Sequence, residues 1–319
     1  MIPRRLRAGD QLRVVAPSTS VATVPDAVRA AAVARLEREF GFEITFGAHV
    51  EETGPQGTGP VSGRVADLHE AFADPDVAGV LAARGGHHSH HLLPLLDYDL
   101  IAANPKPFCG FSDITALQSA LLARTGLVTY SGPMFTSFGR AEQVEPTIES
   151  FRQCLFTDEP IGWQPAKVWS DAGGDRAPHP GEGWFLLQPG TATGRLTGGN
   201  LVTLGLLRGT PYWPDLDGSV LVVEASDSSD AAEFDQNLTA LLQTGAALRG
   251  LLIGRFQPGS AMSPELLAHL VATKPQLNGV PVLANLDVGH THPLYTFPVG
   301  GECYLAADPG AVEMVVTRH

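Results

Sequence analysis

The run Pro105-Lys106-Pro107-Phe108-Cys109-Gly110-Phe111-Ser112-Asp113-Ile114-Thr115 carries the clearest chemical signal in the chain. A short apolar stretch ends at Gly110 and helical periodicity begins just past Ser112, which predicts a serine on a tight strand-to-helix turn. A hydroxyl on such a turn projects from the carboxyl edge of a sheet, and the following amide, that of Asp113, can face the oxyanion formed when the hydroxyl attacks a carbonyl. Ser112 is therefore a candidate nucleophile. The generic elbow spacing Gly-X-Ser-X-Gly is incomplete, because Ile114 stands at the second glycine position, and a serine that merely caps the helix is the competing reading. A second oxyanion donor is expected at Gly86, since Gly85-Gly86 ends a neighbouring apolar run and lacks side chains that would keep the backbone at a distance. A glycine pair that simply turns the chain is the alternative there.

Two other reactive groups stand nearby. His87, His88, His90 and His91 place four imidazoles within five positions, but adjacent histidines rarely converge on one ion and no HExxH or CxxC spacing completes them. A solvated or substrate-lining loop is expected, with no metal and no organic cofactor. Cys109 falls inside the predicted strand before Ser112, where burial is the expected fate of a thiol.

The elements that must hold Ser112 read as alternating strand and helix. Residues 11–16, 43–46 and 77–83 read as strands, with helices over 25–40 and 62–73. This alternation predicts an α/β protein whose N-terminal domain, residues 1–161, is a doubly wound, mostly parallel sheet with ligands at the carboxyl ends of its strands. From 162 to 183 periodicity fails and Pro, Gly, Asp and Ser accumulate, the composition of an interdomain loop. Residues 184–319 are expected to form a smaller C-terminal α/β domain, with strands near 220–224, 250–255 and 281–284 and helices near 231–242 and 264–273. There is no internal repeat.

At 319 residues the chain is long enough for two domains and a substantial core. Its 44% hydrophobic and 17% charged content describes an ordinary globular protein. A formal net charge of −13 argues against a nucleic-acid polymer or an anionic membrane as partner, while leaving room for a single nucleotide-like ligand in a local pocket. Arg4, Arg5 and Arg7 give a basic amino terminus, but Ala8-Gly9-Asp10-Gln11 follows where the apolar core of a secretion signal would lie. No apolar run is long enough for a membrane span. Three widely spaced cysteines, Cys109, Cys154 and Cys303, suit neither a disulfide framework nor a zinc site. A cytoplasmic, reduced protein is the expectation.

Several blocks resemble one family, in order and spacing: Arg84-Gly85-Gly86, Leu92 to Asp99, Asn104-Pro105-Lys106, Gly110 to Thr115, Gly198-Gly199-Asn200-Leu201, Gly209-Thr210-Pro211-Tyr212, Leu221-Val222-Val223-Glu224 and Gly289-His290-Thr291-His292-Pro293. They are similar to the serine peptidases that comprise murein LD-carboxypeptidases and microcin C immunity peptidases, over nearly the whole chain. The resemblance implies a catalytic Ser112, Glu224 and His290, in which the carboxylate steadies an imidazole that deprotonates the serine. It also implies substrate contacts from the loop of Gly85 and His87, and a homodimer. The chain departs from the LD-carboxypeptidase branch in this loop, where that branch typically carries Gly-Tyr-Gly after the arginine and this chain runs Gly85-Gly86-His87-His88-Ser89-His90-His91. Gly110-Phe111-Ser112, Tyr130-Ser131-Gly132-Pro133 and the surroundings of Trp169 look more like the microcin branch, whose tryptophans stack on adenine. Only Trp169 matches, with Gly173-Gly174-Asp175 where a second tryptophan belongs, so Trp184 is the alternative stacking ring. The substrate class implied is an aminoacyl nucleotide or a small peptide, and a packed interface role is the competing reading for both tryptophans.

Overall fold

The computed structural model describes residues 1–141, 144–171, 177–226 and 229–319. Strands β1 (Gln11–Val15), β2 (Glu43–Phe46), β3 (Val77–Ala82), β4 (Phe108–Gly110) and β5 (Thr129–Ser131) make a parallel sheet in the order β2-β1-β3-β4-β5. β3 is buried along its full length, as a parallel strand covered on both faces must be. The helix Asp26–Phe40 turns Ala32, Leu36 and Phe40 inward at a spacing of four and stops at Gly41 in the left-handed region. The chain leaves β1 toward β2 and returns on its other side as β3, so a crevice opens at the carboxyl ends of β1 and β3. Ser112 follows β4, one strand away.

The remainder adds β6 (Ile161–Gly162), β7 (Val168–Asp171), β8 (His179–Pro180), β9 (Phe185–Gln188), β10 (Gly190–Asn200), β11 (Ser219–Glu224), β12 (Gly250–Gly254), β13 (Val282–Leu286), β14 (Thr291–His292), β15 (Phe297–Val299), β16 (Glu302–Asp308) and β17 (Ala311–Arg318). Its main sheet runs β6-β17-β16-β10-β11-β12-β13-β9, parallel from β10 to β13 and antiparallel outside them. The helices Ala231–Leu242 and Pro264–Ala272 begin at side-chain caps, Asp230 accepting from Glu233 N and Ser263 from Leu266 N. The fold is thus α/β with two sheet units, as the alternation predicts.

Two features tie these units together. β15 returns to the first sheet and pairs antiparallel with β5, Phe297 opposite Ser131. One buried apolar cluster accordingly runs from Val14 and Phe40 through Phe297 and Val299 to Leu196, Val222 and Cys303. Residues 162–171 and 177–183 of the irregular stretch are anchored as well: β7 pairs with β14, setting Ser170 opposite His292, and with β8 on its other side. Buried Asp287 accepts the Ala166 amide at 2.9 Å and pairs with buried Arg255 at 2.6 Å. All three cysteines are free and buried, and burial pushes the Cys109 thiol well above its usual range. Among the described residues no helix is long and apolar enough to cross a membrane.

Candidate active site

Ser112 lies at φ +64°, the left-handed region that a residue with a Cβ enters at a cost of about 1 to 3 kcal/mol. The turn is short, passing from β4 through Phe111 into a single 3-10 turn at Ser112–Ile114 and then the helix Thr115–Thr125. That tightness forces the unusual backbone and leaves the hydroxyl at the sheet's carboxyl edge.

Across the crevice, Glu224 is the last residue of β11 and only 3% exposed. His290 follows β13 in the loop leading to β14. The imidazole bridges the other two groups: Nε2 stands 3.1 Å from Ser112 Oγ and Nδ1 stands 2.7 Å from Glu224 Oε2. The carboxylate therefore selects the tautomer with its proton on Nδ1, which leaves Nε2 unprotonated and facing the hydroxyl. The edge of the Phe111 ring packs on the imidazole at a centroid distance of 5.1 Å. Gln257 Nε2 donates to the His290 carbonyl at 3.0 Å. Gly289 is obligatory beside this pair: at φ +97° its missing Cβ would stand 2.7 Å from Glu224 Oε2.

Of the glycine pair, Gly85 lies against the same turn, where a Cβ would stand 3.0 Å from Ser112 Cβ and 3.7 Å from Asp113 N. Asp113 follows Ser112 directly. Gly85 is buried, and its carbonyl accepts the Thr19 amide at 3.3 Å. Gly86, at φ +150°, has its open face against Ser18 and Thr19, where a Cβ would meet Ser18 Oγ at 2.6 Å. His87 is exposed, while His88 and His91 stack at 5.5 Å. Burial lowers the pKa of His88 and of His90, with neighbouring His91 adding to the effect in both. No three His, Cys, Asp or Glu side chains gather as metal ligands among the described residues.

Two clefts lie near His290, one bordered by Gln257, which bonds its carbonyl, and one by Phe111, which packs on its ring. One, of about 360 Å³, is lined by Trp169, Phe185, Arg255, Phe256, Gln257 and Met262 and adjoins His290 through Gln257. There the Arg255 guanidinium lies 5.2 Å from the Trp169 ring, and His179 lies against that ring at 4.7 Å. The other, of about 450 Å³, is bounded by Arg84, Phe111, Met134, Ser137, Arg140 and His292. Trp184 lines neither; it packs, partly buried, against the apolar cluster of both sheets. Gly173, Gly174 and Asp175 lie outside the described residues.

Two neighbours, Asn200 and Arg64, carry no role in the sequence analysis. Asn200 ends β10 in register with Glu224, caps the next helix through Oδ1, and leaves a buried Nδ2 without a partner among the described residues. Arg64, 3% exposed, donates to the carbonyls of Pro17 at 2.8 Å and His88 at 3.0 Å. Its sequence signal is an arginine four residues before Leu68 on the core-facing stripe of the helix Val61–Ala73, a position that demands a buried partner.

A two-sheet α/β scaffold with a serine, an imidazole and a carboxylate in hydrogen-bonding sequence defines a serine-hydrolase type of site. The chain matches the LD-carboxypeptidase N-terminal domain over residues 12–132 and the LD-carboxypeptidase C-terminal domain over residues 193–305. It belongs to that family, peptidase family S66. It is 39% identical to the putative carboxypeptidase YocD of Bacillus subtilis over 100% of both chains. It is 31% identical to the microcin C7 self-immunity protein MccF of Escherichia coli over 83% of this chain and 81% of MccF. The crystal structure of an MccF-like protein from Bacillus anthracis superposes with a TM-score of 0.98 at 41% identity, covering 100% of each chain. A structure of MccF in complex with aspartyl sulfamoyl adenosine superposes at 0.88 with 28% identity, over 100% of this chain and 99% of that one.

Proposed function

We propose that the chain is a serine hydrolase that cleaves an amide bond in a small aminoacyl-nucleotide-like molecule through an acyl-enzyme. The observation that carries this reading is the relay from Ser112 Oγ to His290 Nε2 at 3.1 Å and from His290 Nδ1 to Glu224 Oε2 at 2.7 Å. Ser112 attacks the carbonyl as His290 takes its proton, and the imidazolium so formed lies against the Glu224 carboxylate. The amides of Gly86 and Asp113 receive the oxyanion; losing one such donor typically costs about 3 to 4 kcal/mol. His290 then protonates the departing amine, and a water molecule releases the acyl group along the reverse path. The relay needs only side chains and backbone amides of this chain.

Support for a nucleotide-like leaving group comes from Trp169 in the cleft beside His290, since an aromatic face is worth about 1 to 3 kcal/mol to a stacked base. It also comes from the likeness to MccF, which was solved with an aminoacyl sulfamoyl nucleoside. The family description favours a second reading, a murein tetrapeptide carboxypeptidase. A third, a binding protein without turnover, keeps the scaffold and the clefts.

A fluorophosphonate probe separates enzyme from binder. Labelling of the full chain that vanishes in Ser112→Ala is expected; a folded wild type that stays unlabelled overturns the hydrolase reading. Incubation with an aminoacyl sulfamoyl adenosine and, separately, with a murein tetrapeptide then separates the substrates. Turnover of the tetrapeptide alone rejects the nucleotide preference and leaves the hydrolase intact.

A further inference from the structure

We propose that the Asp113 side chain, with buried Arg64 behind it, is the positioning group that locks the oxyanion loop onto the nucleophile's turn. The inference rests on Ser112 being the nucleophile and concerns a carboxylate that the relay itself does not use. Asp113 is 3% exposed, yet its Oδ2 accepts three hydrogen bonds: Ser18 Oγ at 2.6 Å, His88 N at 3.0 Å and Ser89 N at 2.9 Å. Its main-chain oxygen accepts Ser89 Oγ at 2.7 Å, and His90 Nδ1 stands 4.0 Å from Oδ1.

These contacts join three segments that are distant in sequence: the end of β1, the Gly85 to Ser89 loop after β3, and the turn after β4. Ser18 is their common point, because the hydroxyl that donates to Asp113 also fills the space beside Gly86 that a Cβ would need. Arg64 closes the clasp from below by holding the carbonyls of Pro17 and His88, the two segments that Asp113 holds by Ser18 and by amides. Hydrogen bonds to an ionised acceptor are roughly twice as strong as neutral ones. A single buried carboxylate therefore fixes the Gly86 amide relative to Ser112 before substrate arrives. Preorganisation of this kind is decisive, since a misplacement of about 1 Å in a reacting geometry costs about a hundredfold in rate.

The test uses full-length Asp113→Asn, which keeps the backbone amide and side-chain volume but presents amide hydrogens to a ring of donors. The rate of labelling by a fluorophosphonate is followed across pH, with circular dichroism and thermal melting as controls for folding. The plateau rate is expected to fall about a hundredfold while the midpoint of the pH profile, which reports the imidazole, stays in place. Ser18→Ala and Ser89→Ala, each removing one donor, are expected to fall roughly threefold to tenfold, and they carry the test if Asp113→Asn does not fold. Wild-type rates in a folded Asp113→Asn, or in both serine variants, overturn the proposal. A displaced pH midpoint overturns it too, because the carboxylate would then act through His290. A folded wild type that does not label removes the underlying hydrolase reading, whereas an active wild type with insensitive variants removes only the clasp.

Discussion

The two sheets serve the crevice by different means. On the side of the first sheet the groups that border the crevice are backbone: a strained Ser112, amides held by Asp113 and carbonyls held by Arg64, in the segments that follow β1, β3 and β4. On the side of the second sheet, chemistry is held by side chains: Glu224 ends a strand, and His290 sits in a loop steadied by Gln257 and Phe111. The Ser112 side is held by contacts among segments of the first sheet's own unit, whereas the His290 side depends on packing of the second sheet against Ala166 and Ser170. Stability and catalysis should therefore respond differently to substitutions on the two sides.

The largest effect is expected from Glu224→Gln. An amide no longer selects the Nδ1-protonated tautomer or stabilises the imidazolium, so kcat should fall about ten-thousandfold with little change in melting temperature. A mild loss in kcat would show that the second sheet's side chains matter less than their geometry suggests. Arg255→Ala strikes the packing of the same side. It strands Asp287, whose pKa burial already raises against the pull of Arg255, and breaking a buried pair of this type costs about 3 to 5 kcal/mol. Urea unfolding should show that loss, and an unchanged midpoint would remove the role given to this anchor.

Strain on the nucleophile's side predicts a smaller effect. Ser112→Gly and Ser112→Ala are both inactive, but glycine tolerates φ +64° and should unfold about 1 kcal/mol later than alanine; equal stabilities would mean that the turn is relaxed. The smallest effect concerns His49, remote from the relay. Its imidazole pKa is raised by the hydrogen bond to Asp67, 2.8 Å from Nδ1. A raised folded-state pKa stabilises the fold fully below the unfolded value, about 6.5, and the contribution is lost as pH rises through the folded value. The melting difference between wild type and His49→Gln should accordingly be largest in mild acid and shrink in alkali.

Local pattern made some of this architecture legible. The strand at 43–46 and the helix at 231–242 agree with the structure residue for residue, because the local spacing of apolar residues marks them. The strand-turn-helix around Ser112 is legible for the same reason. β10 is harder to read, because its eleven residues, rich in Gly and Thr, show no apolar alternation. β15, three residues long, draws its partner from the other sheet and has no signal of its own. Asp113 could be read for its amide but not for its carboxylate, since Ser18, Arg64 and Ser89 approach it only in the folded chain. Trp184 and Trp169 are both half-buried, and only the fold separates them, since Trp169 lines a cleft and Trp184 packs on the apolar cluster.

The pairing of β15 with β5 has a bearing on how the protein is made. Until the ribosome has added Phe297, the strand Thr129–Ser131 offers open hydrogen-bonding positions along its free side. The imidazole that stands against Ser112 Oγ lies 178 positions further along the chain, so a chain cut short before His290 keeps the hydroxyl and lacks the group that faces it.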